Sequence, residues 1–196
     1  MCRLLLILIL TLSFQSWTKA DDIKDFEIEG ISIGETILKY YDKELIINRK
    51  ATWPKSKKYT RFWDNDFKSD QYESLQLIYL TDDKNYIIRG ITAGILYENT
   101  NISKCYKKQN EITEQLKPLF VNTKIVIGKV NKHRTDITGK STFKNIHFRF
   151  TNGDTVAIGC YDWSKTLEEE RGWVDHLRIA IYDNNHKLFL QGPAYK

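Results

Sequence analysis

Residues 159–164, GCYDWS, bring a cysteine, an aspartate and a serine together, and these residue types can perform acid–base or nucleophilic chemistry. Cys160 would act as a nucleophile only as a thiolate, which a helix N-terminus or a neighbouring cation usually stabilises. Neither feature adjoins Cys160 in the sequence, although a distant histidine could approach it in the fold. Asp162, Asp175 and His176 bracket one loop, and as acid–base groups they would suit a small hydrolase-like enzyme.

The beginning of the chain has the pattern of a secretory signal peptide. Arg3 precedes the uncharged apolar run 4–14, and the small residue Ala20 stands at a suitable cleavage position. A membrane-spanning helix needs about 20 apolar residues, so the run is too short to be a typical anchor. We therefore predict that residues 1–20 are a signal peptide, and that residues 21–196 form a single α+β domain. Export predicts a soluble periplasmic or secreted protein with no membrane span after cleavage.

Cys105 and Cys160 are the two cysteines of the mature chain, and the pattern around each predicts that it faces inward. Apolar residues recur every three or four positions around Cys105, which predicts an amphipathic helix over 101–117. Val156, Ile158 and Cys160 alternate with small or polar residues, which predicts a strand with Cys160 on its apolar face. Two cysteines of an exported protein pair more often than they catalyse. We predict a disulfide, with two buried free thiols or a reactive cysteine as the alternatives.

The rest of the chain alternates helical stretches with hairpins. Ser32 and Glu35 have the spacing of a capping box and predict a helix in residues 32–50, with Asp42 as the cap of a second, short helix. The predicted hairpins are 72–80 with 85–98, 142–150 with 154–163 around Asn152-Gly153, and 176–182 with 186–192. This order predicts an α+β fold, an antiparallel sheet of hairpins with helices packed on one face. It also leaves room for a duplicated helix–hairpin unit.

Residues 49–68 combine aromatic side chains with seven basic and two acidic ones, which is typical of a surface for an anionic ligand. We predict an edge strand or a long loop over residues 49–70. The candidate binding residues are Trp53, Lys55, Lys57, Lys58, Tyr59, Arg61 and Trp63, together with Trp163 and Trp173 beside an acidic loop. The alternative is that the aromatic rings pack on the sheet while the lysines only solvate that surface.

Charge and motifs narrow the possible partners. After cleavage the chain carries 28 basic and 25 acidic residues, too balanced to predict nucleic acid as a partner. An anionic glycan, a lipid headgroup or another exported protein fits an exported chain better. The four histidines are scattered and no motif of serine hydrolases, zinc proteases or P-loop proteins occurs, so we predict no metal and no cofactor.

Four segments resemble a family of small exported proteins of unknown function from marine planktonic alphaproteobacteria: DFEIEGISIGETILKYYDKELI, SKCYKKQNEI, CYDWS and DHLRIAIY. The chain departs from that pattern in its longer acidic loop, KTLEEERGWV. The GISIG segment before helices and a sheet is also remotely similar to β-lactamase-inhibitor-protein-like modules, which act by binding. These resemblances imply an uncharacterised one-domain exported protein, a non-catalytic binding or accessory module of the periplasm. The small hydrolase-like enzyme remains the alternative.

Overall fold

The computed structural model describes residues 22–64, 66–97 and 102–195, and it confirms the α+β class. The predicted signal peptide, residues 1–20, lies outside the described residues. The helices are α1 Lys43–Asn48, α2 Ser103–Leu116, α3 Lys165–Arg171 and α4 Asn184–Gln191. The strands are β1 Glu27–Ile28, β2 Ile31–Ser32, β3 Lys50–Trp53, β4 Ser56–Asp64, β5 Ser74–Leu80, β6 Ile88–Leu96, β7 Lys124–Ile127, β8 Asn131–Lys132, β9 Thr142–Arg149, β10 Thr155–Asp162 and β11 His176–Tyr182.

Nine of these strands form one antiparallel sheet in the order β3-β4-β5-β6-β11-β10-β9-β7, with β8 also paired to β9. Two predicted hairpins are present, β5–β6 and β9–β10. Gly153 takes a positive φ of 91° in the turn between β9 and β10, a conformation that glycine adopts readily, so the Asn152-Gly153 signal is explained. The β3–β4 hairpin forms one edge of the sheet, as expected for an edge strand in residues 49–70.

Residues alternate between two faces of the sheet, and α2 covers one of them. The row Phe62, Leu77, Ile91, Ile181, Val156 and Phe148 runs across six strands of this covered face, and each of these side chains is completely buried. The helix docks through the Cys105–Cys160 disulfide, with the two Cα atoms 5.9 Å apart. Gln109 of α2 is fully buried between the helix and the sheet. Its Nε2 donates to the carbonyl oxygens of Lys144 and Ile158, each at 2.8 Å. The predicted Cys105–Cys160 disulfide is therefore present, and it joins α2 to β10.

The opposite face, called here the open face, carries a smaller apolar cluster beneath α4. Phe189 of this helix packs between Trp53 and Tyr59, with ring centroids 5.2 and 4.8 Å away. The prediction that 186–192 is a strand of a third hairpin was wrong, because this segment is helical. Its N-terminus is stabilised by two acceptors: Asp183 accepts from the amide of His186, and Asp154 accepts from the amide of Asn184.

The helix predicted from Ser32 onward is also different in the structure. The backbone amide of Ser32 donates a hydrogen bond to the Glu35 carboxylate at 3.2 Å, as in a capping box. The backbone of the following residues, however, forms hydrogen bonds with β6. Gly34 donates to the carbonyl of Ile88, and the amide of Ile88 donates to the carbonyl of Glu35. Because these groups pair with the sheet, a single 3-10 turn, Ile37–Lys39, forms between Ser32 and α1, which begins after Asp42 as expected. The duplication stays a prediction.

Candidate functional site

The cysteine of the GCYDWS segment is half of a structural bridge. Cys105 and Cys160 are both completely buried and are joined as a disulfide on the covered face. A cysteine in a disulfide has no thiolate, so Cys160 is not a free nucleophile in this structure. Tyr161 and Trp163 lie on the open face instead, since neighbouring residues of a strand point to opposite sides.

The three acid–base candidates are divided between the two faces. Asp162 lies on the side of the sheet that holds Cys160, and the amide of Trp163 donates to the buried Asp175, just before β11, at 2.6 Å. Burial, with a smaller contribution from Asp162, raises the pKa of Asp175 to about 6. His176 points to the open face, where its ring stacks on Tyr161 with centroids 4.8 Å apart. Burial lowers the pKa of His176, and its Nδ1 lies 2.8 Å from the carbonyl oxygen of Val174. The charge of Asp162 therefore acts on Asp175, whereas the ring of His176 is engaged by Tyr161 on the open face.

The aromatic members of segment 49–68 are mostly part of the packed interior. Trp53 and Tyr59 are 6% and 2% exposed because they face α4 on the open face. The Arg61 guanidinium stacks on Trp53, 4.5 Å from the ring centroid, and donates to the carbonyl of Thr52. Trp63 is 38% exposed, and the exposed candidate lysines are Lys55, Lys57 and Lys58. This hairpin thus offers lysines at its tip rather than an aromatic surface.

Trp163 and Trp173 belong to an aromatic group at one end of the open face. Their ring centroids are 4.4 Å apart, and His133 packs on Trp163 at 4.6 Å. The loop that carries His133 is fixed by the buried Asp136, which accepts bonds from the backbone and side chains of Thr138 and Ser141. Those hydrogen bonds hold the pKa of the Asp136 carboxyl well below its usual range. The two tryptophans therefore close one end of the sheet surface, together with Tyr161 and His176.

A group of polar and basic side chains, missed in the sequence, lies between this aromatic end and α4. We call it the basic patch: Asn145, His147, Arg149, Arg178 and Lys187. The first four alternate with buried covered-face residues on β9 and β11, while Lys187 comes from α4. The alternation of β9 does indicate outward-facing polar residues, but only the strand order brings Arg178 beside Asn145.

Burial is the main cause of the pKa shifts in the basic patch, and like charges add to it at His147 and Lys187. Burial and the charges of Arg149, Arg178 and Lys187 lower the pKa of His147 to about 4. Burial also lowers the pKa of Arg178, and burial with repulsion from Arg149 lowers that of Lys187, which Asp154 partly offsets. Within residues 22–64, 66–97 and 102–195, no aspartate or glutamate forms an ion pair with Arg149, Arg178 or Lys187. The patch is therefore a positive surface whose charge is offset only in part, by Asp154 near Lys187.

Comparison with known proteins adds no family to this geometry: no protein-family model matches the chain, and no curated protein matches it significantly. Among the described helices, none is long and apolar enough to cross a membrane. The described part of the chain also contains no cluster of three or more histidine, cysteine, aspartate or glutamate residues suited to hold a metal ion.

Proposed function

We propose that the protein is an exported, disulfide-stabilised and non-catalytic binding or accessory module of the periplasm. Its contact surface is the open face, around the basic patch. The buried disulfide supports an oxidising compartment, because such bonds persist outside the reducing cytosol. Anionic glycans and lipid headgroups are the partner classes that suit a basic patch beside aromatic rings.

One observation carries this proposal, namely the gathering of basic side chains without acidic partners on a surface that the large helix α2 leaves uncovered. Clustered like charges destabilise a folded chain unless something compensates them. Along β11, His176, Arg178 and Tyr182 are partly exposed, whereas Leu177, Ile179 and Ile181 on the covered face are buried. A ligand can therefore reach the basic residues without any rearrangement of the core.

The proposal is tested by retention of the mature chain on a panel of anionic glycans and anionic phospholipid vesicles. Arg149→Gln/Lys187→Gln removes two charges from the basic patch, and Lys57→Gln/Lys58→Gln removes two from the hairpin tip as the matched control. We expect retention to fall only in the first variant. Equal retention of the wild type and the patch variant, or a loss confined to the hairpin variant, would contradict the open face as the contact surface.

The Asp162–Asp175 pair favours one alternative, a small hydrolase-like enzyme. A carboxyl group whose pKa is raised to about 6, mainly by burial and partly by the charge of Asp162, has the protonation behaviour that a general acid needs. His176 would have no part in it from the opposite face. Turnover of chromogenic esters or glycosides that is lost in both Asp162→Asn and Asp175→Asn, but kept in Lys57→Gln/Lys58→Gln, would establish this alternative and refute the non-catalytic module.

A further inference from the structure

We propose that Arg178 and Asn145 form an anchoring subsite for one oxyanion, a phosphate or a carboxylate, of a small ligand. This inference rests on the proposed binding function and names its ligand chemistry. It starts from the residues that surround Arg178 on neighbouring strands. In the ladder, Arg178 of β11 lies opposite Gly94 of β6 and Gly159 of β10, and Gly159 lies opposite Asn145 of β9.

Gly159 has no side chain, so the side chain of Asn145 can lie where a Cβ atom of residue 159 would stand. A Cβ atom built on Gly159 would lie 2.1 Å from Oδ1 of Asn145 and 2.9 Å from a ring carbon of Tyr161. The Asn145 amide therefore lies over Gly159, on the strand next to Arg178. Glycine inside a strand is destabilising and often marks a close approach of other groups. Here it lets the Asn145 amide extend toward Arg178.

Arg178 is held in place and, among the described residues, has no acidic counter-ion. Its guanidinium lies over the Tyr161 ring, 4.3 Å from the centroid, and donates one hydrogen bond to the Tyr161 hydroxyl. A guanidinium has five N–H donors in a fixed plane, and it matches carboxylate and phosphate oxygens with two parallel bonds. In the described part of the chain, Arg178 has no carboxylate partner, and the side-chain amide of Asn145 makes no hydrogen bond. Both side chains therefore keep donors for an external acceptor.

The groups of the subsite favour one small anionic group over a long polymer. The Arg178 guanidinium lies over the Tyr161 ring, and the His176 ring stacks on Tyr161 with centroids 4.8 Å apart. One guanidinium and one side-chain amide match a single oxyanion rather than a row of charges along a polymer.

The test is a titration of mature ¹⁵N-labelled protein with sodium phosphate and, separately, with sodium glucuronate, at constant ionic strength. Sodium chloride is the control for general screening. We expect saturable chemical-shift changes of the Arg178 Nε–H and of the Asn145 side-chain NH₂ signals with at least one of the two anions. Saturation by phosphate alone assigns a phosphoryl ligand, and saturation by glucuronate alone assigns a carboxylate; either outcome supports the subsite.

Variants separate this site from general attraction of anions. Removing the charge-assisted bonds in Arg178→Gln should weaken binding by about tenfold or more. Asn145→Ala keeps the arginine and should weaken binding several-fold, and Gly159→Ala should act in the same direction by displacing Asn145. Lys58→Gln, with the same charge change as Arg178→Gln, should bind like the wild type.

Shifts that follow ionic strength alone, or equal affinity in the wild type and Asn145→Ala, would overturn the subsite. If the chain binds phosphate or glucuronate but is not retained on the glycan and vesicle panel, the larger partner is rejected and the subsite stands. The two proposals are therefore separately testable.

Discussion

Opening the Cys105–Cys160 bond should cost a large part of the stability of this domain. The bond joins positions 55 residues apart, and restricting a loop of that length in the unfolded chain is worth about 4 kcal/mol in the chain-entropy model. Because reduction breaks the bond without removing the sulfur atoms, the reduced wild type isolates this effect. We expect reduction to lower the free energy of unfolding by about 2 to 4 kcal/mol.

Replacement of both cysteines by alanine should cost more than reduction. Both side chains are completely buried, so the missing sulfur atoms leave small voids that add about 1 kcal/mol each. Urea denaturation of the oxidised, reduced and Cys105→Ala/Cys160→Ala proteins measures all three values. The slope of the free energy against urea should rise when the bond is opened, because the unbridged unfolded chain exposes more surface. Oxidised and reduced proteins that agree within about 1 kcal/mol would refute a stabilising role for the bond.

Three further predictions follow from single features of the chain. Gln109→Leu leaves two buried carbonyl oxygens without their donor and should lower the free energy of unfolding by about 1 to 3 kcal/mol, whereas Gln115→Leu on the exposed side of α2 should change it little in the same urea assay. Mass spectrometry of the exported protein should show Asp21 as its first residue, and full-length chain in the membrane fraction would contradict cleavage. His186 is buried among aromatic rings, and burial lowers its pKa to about 3, so the unfolded chain binds its proton more readily. Between about pH 6.5 and pH 3 the free energy of unfolding should therefore fall by up to about 1.4 kcal/mol per pH unit through this residue, and thermal denaturation should show a shallower pH dependence in His186→Leu.

The sequence was most informative where one short pattern determines one element. The periodicity around Cys105 predicted α2, and Asn152-Gly153 predicted the turn between β9 and β10. It was least informative for 186–192, whose seven residues are too short to separate a helix from a strand by periodicity. One acceptor at the start of that helix is Asp154, which is 30 residues away from Asn184 in the chain.

The basic patch could not be predicted for a related reason. Strand alternation alone indicates that Asn145 and His147 face away from the core, and that Arg178 does so on another strand. Their meeting depends on β11 being inserted between β6 and β10, a choice made by strand pairing across the whole domain. In segment 49–68 the aromatic and basic composition predicted a binding surface. In the structure, Trp53 and Tyr59 instead pack against α4, as the alternative interpretation of their rings expected.

Arg178→Met separates a structural arginine from one retained for binding. The change keeps a flexible apolar side chain and removes a partly buried charge that has no acidic partner within the described residues. It sacrifices the contact with Tyr161, worth about 0.5 to 2 kcal/mol, and gains by relieving the desolvation of the charge. Because these effects oppose each other, we expect urea denaturation to show a net loss below about 1 kcal/mol, while saturable binding of phosphate or glucuronate disappears. A loss above about 3 kcal/mol would mark Arg178 as a structural residue, since removal of a well-paired buried charge has that effect. If stability is kept while binding is lost, Arg178 serves a ligand rather than the fold. The covered face, with its disulfide, then supplies the stability that allows the open face to carry a partly buried charge.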